Sequence, residues 1–254
     1  MTVLWLYALG SVVLVSALSL VGALTLRLRD RVLKRLVFIL VGLSVGALLG
    51  DVFIHLLPEL FEGASDVLYS SLTVLLGIML FFVLEKFLRW HHSHEVHEHS
   101  GPDCPEPDSP LTTIVLVGDG VHNLIDGMII GASYLVSIPV GLATTLAVAL
   151  HEIPQEIGDF GVLLHAGLSR SRALFYNLLS GLVSIVGVAT VLIFGNSVSV
   201  TSTLLSLAVG GFIYIAGSDL VPELHKENSV RSSLMQLVAI GVGIGLMFLL
   251  LFVE

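Results

Sequence analysis

Two short polar segments interrupt stretches that are otherwise apolar: HNLIDG, which begins at residue 122, and HEIPQEIGDF, which begins at residue 151. Their imidazole, carboxylate and amide groups are the side chains that bind transition metals. An ionisable side chain at the centre of a membrane helix costs about 2.5–3.5 kcal/mol on insertion scales. Such a cluster therefore indicates groups that bind an ion. The candidate ligands are His122, Asn123, Asp126, His151, Glu152 and Gln155.

The spacing of these residues predicts how they would be arranged. On a helix, His122 and Asp126 are i, i+4 neighbours, and so are His151 and Gln155. We expect the two polar edges to face each other and to hold a cation between them. Mixed nitrogen and oxygen ligands favour zinc, iron or manganese over calcium and magnesium. Further polar positions predict a transport pathway: Asp51, His55, Asp119, Glu156, Asp159 and His165.

The composition places these segments in a membrane. The 254 residues are 55% hydrophobic and only 12% charged, whereas a soluble domain has roughly 25% charged residues. We predict an all-α integral membrane protein, since the apolar runs are too long and unbroken for a β-barrel. Eight spans of about 20 residues or more are expected, at about 3–26, 36–61, 67–90, 111–136, 140–168, 173–195, 202–224 and 232–253.

The basic residues predict the topology. All eleven Lys and Arg residues fall in alternate connections between these spans, which the positive-inside rule assigns to the cytoplasm. Both termini would then be extracytoplasmic, in a multi-pass protein of the cell (inner or plasma) membrane. The apolar N-terminus has no cleavage pattern and is predicted to be a retained span. The expected partners are the lipid bilayer and a divalent metal ion, with no nucleic acid.

One long polar segment, at about residues 90–110, connects the third and fourth spans within a single transmembrane domain covering 1–254. Its proline and acidic content argues against a fold of its own. His-rich tracts bind metal loosely, so we predict metal contact in this cytoplasmic loop. Its histidines are His91, His92, His94, His97 and His99.

Three further patterns concern helix geometry. The number of residues from Gly46 to Gly210 equals that from Pro58 to Pro222, which indicates an internal repeat. The second and seventh helices, which carry it, should run in opposite directions, as in inverted-repeat transporters. The glycines of the fourth span, 127 and 131, predict close approach of the fourth and fifth helices. A proline at 154 should free a backbone carbonyl, at residue 150, beside a polar cavity.

At these motifs the chain resembles the ZIP family of zinc/iron-regulated transporters, in particular its LIV-type branch, in a prokaryotic-like form. HNxxDG and HEIPxExGD are family hallmarks, and the eight helices and His-rich loop match as well. The resemblance implies import of divalent metal, zinc above all, by an elevator-like movement, with metal as substrate and no cofactor. It implies a main site at His122, Asp126, His151 and Gln155, and a second at Asn123, Asp126, Glu152 and Gln155.

Two residues depart from the family pattern. Gln155 replaces a histidine or glutamate, and Ser184 replaces an acid found in some members. An amide is a weaker ligand, so affinity or metal preference would change, and transport would rest on one site. Because protonated imidazole releases metal, transport should fall at acid pH, near the free-histidine pKa of about 6.5.

Alternative functions remain open at this point. A metal channel or an exporter would use the same side chains. An intramembrane zinc hydrolase is disfavoured, because the HExxH motif needs a second histidine where this chain has Gln155, and Pro154 disrupts its helix. We therefore expect a transporter and not an enzyme. The sequence leaves the oligomeric state open, with a homodimer as one candidate.

Overall fold

The computed structural model describes residues 2–26, 28–62, 66–95, 110–195, 198–226 and 229–252. Every regular element in these ranges is helical. We number the eight long helices α1 to α8. They are α1 (Thr2–Ala17, Leu18–Leu20 and Gly22–Thr25), α2 (Asp30–Gly50, Asp51–Leu56 and Leu57–Glu62), α3 (Val67–Glu95), α4 (Pro110–Val136), α5 (Ile138–His165), α6 (Arg170–Gly181 and Val183–Phe194), α7 (Val198–Tyr214, Ile215–Leu220 and Val221–Leu224) and α8 (Val230–Leu250).

These helices confirm the predicted all-α membrane architecture. Among the described residues, seven are long and apolar enough to cross a membrane by themselves. The remaining long helix is α5, whose 28 residues span about 42 Å. It lacks the apolar composition of the others because it carries the acidic residues of the second polar segment. None of the ionisable or amide side chains of that segment is exposed.

A very short connection sets the depth of the two polar segments. Only Ser137 separates α4 from α5, and its side chain accepts a hydrogen bond from the backbone N–H of Val140 at 3.2 Å. Pro139 follows in the first turn, where its missing N–H is harmless. The two helices must therefore run antiparallel. His122 and His151 stand at nearly equal distances from this turn, about 22 Å along each helix.

The helices form two groups. The site bundle comprises α1, α4, α5 and α6, and the flanking bundle comprises α2, α3, α7 and α8. Within the flanking bundle, α2 packs closely on α8 and α3 on α7. The main contacts between the groups are α2 with α5 and α4 with α7. A common apolar core, including Leu48, Ile130 and Phe212, lies where the groups meet.

Glycines allow the closest helix contacts, but not between the helices we expected. A Cβ at Gly127 would collide with the backbone carbonyl of Ser184, and one at Gly131 would press on the backbone of Val188. Both glycines therefore face α6. The prediction that they bring α4 against α5 was wrong, because α6 occupies that face of α4. On the other side of this contact, Gly187 of α6 lies against the α4 backbone.

The inverted repeat has a local structural counterpart. A six-residue π-helical stretch interrupts α2 at Asp51–Leu56, and another interrupts α7 at Ile215–Leu220. They stand at the interval that relates Gly46 to Gly210 in the sequence. Each precedes a proline, Pro58 or Pro222. π-Helical turns are frequent at functional sites, and these two flank the contact between the bundles.

The proline inside α5 does not break the helix. Pro154 lies within the continuous Ile138–His165 helix. The backbone carbonyl that it leaves free, that of Leu150, accepts a hydrogen bond from the hydroxyl of Ser44 at 2.6 Å. Our expectation that this carbonyl would border a polar cavity was wrong. Ser44 belongs to α2, so the proline instead creates a bond between the two bundles.

Candidate metal centre

Four side chains of α4 and α5 converge at one depth. They each offer a ligand atom, and these atoms all lie within 4.8 Å of one another. The residues are His122, Asp126, His151 and Glu152. All but His122 are at least 99% buried, and the His122 side chain is 18% exposed. The geometry brings together the two polar edges predicted from the sequence.

The separations suit a tetrahedral ion. His122 Nε2 lies 3.3 Å from His151 Nε2, 3.8 Å from an Asp126 oxygen and 3.7 Å from a Glu152 oxygen. His151 Nε2 lies 3.0 Å and 3.9 Å from the same two carboxylates. Zinc binds nitrogen and oxygen ligands at about 2.0–2.1 Å, which places tetrahedral ligands about 3.3–3.4 Å apart. Small side-chain adjustments would therefore close the four groups around one ion.

The cluster consists of groups that need a cation. His151 Nδ1 lies 3.3 Å from the backbone carbonyl of Ala147; a carbonyl only accepts, so the ring proton sits on Nδ1. In that tautomer, the lone pair of Nε2 faces the Asp126 carboxylate at 3.0 Å and is available to a metal ion. Both Asp126 oxygens and Oε1 of Glu152 are buried without a hydrogen bond from any described residue. Buried acceptors in this state are costly unless a metal or a proton neutralises them.

Another predicted ligand is engaged elsewhere. The amide nitrogen of Asn123 donates to the Asp119 carboxylate at 2.9 Å and to the Asp119 backbone carbonyl at 3.1 Å. The second oxygen of Asp119 accepts a hydrogen bond from the Ser180 hydroxyl. Asn123 and Asp119 are 1% and 5% exposed. The metal-binding role of Asn123 stays a prediction, and in this conformation its amide nitrogen bonds to Asp119, one turn earlier on the same helix.

Glu156 belongs to the same hydrogen-bonded region, one helical turn from Glu152. Its oxygens accept from the Ser19 hydroxyl at 2.6 Å and from the Asn177 amide at 2.7 Å. We name the group formed by Asp119, Asn123, Ser180, Glu156, Ser19 and Asn177 the lower network. It joins all four helices of the site bundle, and its carboxylates have protein donors. The predicted pathway role of Glu156 stays untested.

A cavity of about 380 Å³ leads away from the metal cluster. His122, Gln155, Asp119 and Asp159 line it, so three of the predicted positions border the same space as one of the cluster histidines. The Gln155 side chain lies beside the Asp119 carboxylate. The cavity therefore connects the cluster with the end of the bundle where α3 ends and α4 begins.

The opposite wall of this cavity contains residues that the sequence reasoning missed. Glu85, Tyr214 and Asp219 line it, and the hydroxyl of Tyr214 donates to the Glu85 carboxylate. Glu85 stands in an apolar span close to Lys86, which made it resemble an ordinary helix end. Asp219 could have been found from the inverted repeat, since it occupies the position that His55 has in the first half.

The two candidates in α2 contact different neighbouring helices. Asp51 accepts a hydrogen bond from Thr144 of α5 at 2.9 Å. His55 Nε2 lies 3.0 Å from the backbone carbonyl of Met247 in α8. Both are buried. Asp51 therefore stands at the contact between the bundles, whereas His55 points into the flanking bundle, and their pathway role stays a prediction.

Some predicted residues lie outside the described part of the chain. These are the side chain of His165, the side chains of His91, His92 and His94, and the whole of His97 and His99. Ser184, which stands where some family members have an acid, is described. Its hydroxyl donates to the Gly181 carbonyl at 2.7 Å and lies 3.0 Å from the Ser16 hydroxyl. It thus ties α6 to α1 and does not face the metal cluster.

The chain is similar to known zinc transporters over most of its length. The sequence model of the ZIP Zinc transporter family matches residues 2–113 and 97–251. The zinc transporter ZIP13 homolog of Drosophila melanogaster is 31% identical over 86% of this chain and 78% of its own length. Zinc transporter foi of the same species is 40% identical over 65% of this chain, and human zinc transporter ZIP4 is 32% identical over 78%.

The chain spans 23% of the length of foi and 40% of that of human ZIP4, so the longer relatives contain further sequence. All of these relatives are named as transporters and none as an enzyme. The family match covers nearly the entire chain and includes both polar segments. The eight-helix architecture and the convergent histidines and carboxylates agree with that match, and the chain belongs to the ZIP zinc transporter family.

Proposed function

We propose that this protein transports divalent metal ions, with zinc as the preferred substrate, across a cellular membrane. The observation that carries the proposal is the cluster of His122, Asp126, His151 and Glu152, whose buried carboxylate oxygens lack hydrogen-bond donors among the described residues. Two nitrogens and two oxygens at these distances suit zinc, which has no strong preference of its own for coordination geometry. The names of the relatives support the same substrate.

The access to this cluster supports a carrier more than an open pore. The cavity of about 380 Å³ opens on the side of Asp159 and Asp219. On the other side, Ile130, Ala147 and Phe212 are fully buried. The Phe212 ring packs edge-on against His151, with centroids 6.2 Å apart. An ion at the cluster would therefore reach one side of the membrane and be shut off from the other, as alternating access requires.

We propose that the open side is cytoplasmic. Glu85, Asp159 and Asp219 line the cavity toward the ends of α3, α5 and α7. Basic residues such as Lys86, Arg170 and Lys226 stand near these helix ends, and basic connections favour the cytoplasm. Both termini would then be extracytoplasmic. In this assignment the conformation faces inward, and an ion released from the cluster would pass the carboxylates of Asp119, Asp159, Glu85 and Asp219.

The division into bundles supports an elevator-like movement. All four cluster residues belong to the site bundle, in which Ser11 and Tyr134, Ser16 and Ser184, and Ser19 and Glu156 are hydrogen-bonded across helices. The bundle can therefore move as one body while its metal geometry is preserved. Its described hydrogen bonds to the flanking bundle include those of Ser44 and Asp51, which would have to be exchanged during the movement.

Zinc flux into proteoliposomes tests this proposal. Wild-type protein should carry zinc with saturation at low concentration, and His122→Ala and His151→Ala protein should lose at least about 100-fold of the flux at low zinc. Outer-shell partners of metal ligands already cost 10–100-fold in affinity. His225→Ala is the matched control, because His225 is exposed and distant from the cluster. Undiminished flux in both cluster variants would refute the metal centre, and comparison of inside-out with right-side-out vesicles decides the direction.

A further inference from the structure

A second cavity, of about 620 Å³, lies at the basic end of the protein and takes no part in metal binding. The start of α2, the connection between α7 and α8, and the first turns of α8 form its walls. Four cationic side chains line it. They are Arg31, Lys34, Arg35 and Lys226. We call this cavity the basic cleft.

The charge of the basic cleft is strongly unbalanced. Its one acidic lining residue is Glu223, which pairs with Lys226 at 2.5 Å. Arg31, Lys34 and Arg35 are exposed, and no carboxylate among the described side chains lies within ion-pair distance of them. On a helix these three positions share one side, since they are separated by three and four residues. The cleft therefore offers three available cations to an anionic group.

Apart from Ser232, the rest of the lining is apolar. Beyond the cations, the α2 side of the wall consists of Val37, Phe38 and Val41. Met235 of α8 also lines the cleft. From Arg31 to Val41 the helix rises about 15 Å, which is half of a hydrocarbon core of about 30 Å. A water-soluble anion would neutralise the cations but leave this apolar wall uncovered. The wall suits an acyl chain that runs the depth of one membrane leaflet.

We propose that the basic cleft binds an anionic phospholipid, with its phosphate headgroup between Arg31, Lys34 and Arg35 and an acyl chain along Val37 to Val41. Basic pockets between membrane helices on the cytoplasmic side bind such headgroups, and each nearby Lys or Arg adds several-fold to affinity. The α2 helix is a membrane span, so its basic end stands where headgroups are found.

The position of the basic cleft links this lipid to the proposed movement. Every lining residue belongs to the flanking bundle except Ile157 of α5, which belongs to the site bundle. Ile157 directly follows Glu156 of the lower network. A lipid in the cleft would therefore contact both bundles and favour the relative position in which the cleft is open. The influence of the lipid on the movement rests on the proposed transport function. The lipid-binding site itself does not depend on that function.

Lipid binding can be measured without transport. Purified protein in detergent is titrated with dioctanoyl phosphatidylglycerol, and the bound lipid is counted by native mass spectrometry. We expect one saturable lipid per chain, with affinity at least about tenfold lower in Arg31→Gln/Lys34→Gln/Arg35→Gln protein. Because that variant removes topology-determining charges, Met235→Trp provides a second test: it keeps the cations, fills the apolar wall and should weaken binding as well.

The matched control is Arg170→Gln/Arg172→Gln, which removes exposed cations at the start of α6 outside the cleft. Its lipid affinity should equal that of the wild type. Equal affinity in all variants, or equal loss in the control, would overturn the proposal. Competition by inorganic phosphate at the concentration of the lipid would do the same, because it would identify a site for a free anion. Failure of zinc flux would leave each of these outcomes unchanged.

Discussion

Two buried polar clusters have carboxylates on the same two helices, α4 and α5, but the hydrogen bonding of these carboxylates differs. In the lower network, the carboxylates of Asp119 and Glu156 accept hydrogen bonds from protein donors, including Ser180 and Asn177. In the metal cluster, Asp126 and Glu152 present oxygens that no described donor reaches. Both clusters contain buried carboxylates, but only the metal cluster combines them with two histidines and leaves carboxylate oxygens without described donors, an arrangement suited to an ion from outside the chain.

The difference shows which buried carboxylates serve structure and which serve function. Carboxylates with fixed donors on other helices hold those helices together. Separating the helices would leave a buried charge without its hydrogen bonds, which is costly. The lower network therefore makes the site bundle rigid. The metal cluster depends on that rigidity, since its four ligand atoms come from two helices and must keep separations of 3.0–3.9 Å.

The sharpest test changes a carboxylate to an amide in each cluster. Asp126→Asn removes a charged ligand, and we expect zinc affinity to fall at least about tenfold, in line with losses at metal sites. Glu156→Gln should change affinity by less than about threefold, because the amide can accept from Asn177 while it donates to the Ser19 hydroxyl. Isothermal titration of zinc into both purified proteins measures the contrast.

Equal losses in the two variants would remove the distinction between the clusters. Thermal unfolding without metal provides the control, since Asp126→Asn replaces a buried carboxylate whose oxygens accept no hydrogen bond from a described donor and should not lower stability. A large loss of stability in that variant would show that Asp126 has a structural partner.

The support behind the metal cluster gives the second test. Gly127 follows Asp126 and lies against the carbonyl of Ser184, so Gly127→Ala must push α6 away from α4. Overpacking of this kind costs about 1–3 kcal/mol. We expect a lower unfolding temperature in detergent together with weaker zinc binding. Gly158→Ala on α5 is the control, because a Cβ there meets no atom within 4 Å; equal behaviour of the two variants would contradict the close α4–α6 contact.

Helix number, helix type and the choice of α4 and α5 as site helices were predictable from the sequence. Apolar length identified the spans, and the i, i+4 spacing of His122 and Asp126 placed both on one edge. What the spacing could not give was the neighbour of each remaining face. Gly127 was predicted to pack against α5 but packs against α6. The sequence of one helix does not show which other helix packs on a given face.

The same limit explains the errors at single polar groups. The carbonyl freed by Pro154 was expected beside a cavity, whereas the hydroxyl of Ser44 in α2, more than one hundred residues away, donates a hydrogen bond to it. Glu85 and Tyr214 were missed because each is ordinary within its own helix, and only the fold places both on the wall of one cavity. Contacts between distant segments decide these cases, and local patterns contain no information on them.

Gln155 gives a smaller test at the boundary between the clusters. It lines the cavity together with His122 and lies beside Asp119. Gln155→His should add an imidazole and raise the preference for zinc over manganese, since nitrogen ligands favour zinc. Gln155→Glu should shift the ratio toward manganese. We expect changes of about threefold to tenfold in the ratio of affinities, measured by competition titration; an unchanged ratio in both variants would place this side chain outside the ion's coordination sphere.

Ser184 should give the smallest effect, because its hydroxyl belongs to the scaffold. It donates to the Gly181 carbonyl within its own helix and lies 3.0 Å from the Ser16 hydroxyl of α1. Ser184→Ala removes one neutral hydrogen bond and should cost about 0.5–1.5 kcal/mol in unfolding free energy, with zinc affinity unchanged. Ser184→Glu is the informative partner, because its carboxylate would have to leave the contact with Ser16. If the wild type bound one zinc ion in a titration and that variant bound two, the missing acid of this chain would be the reason for the difference.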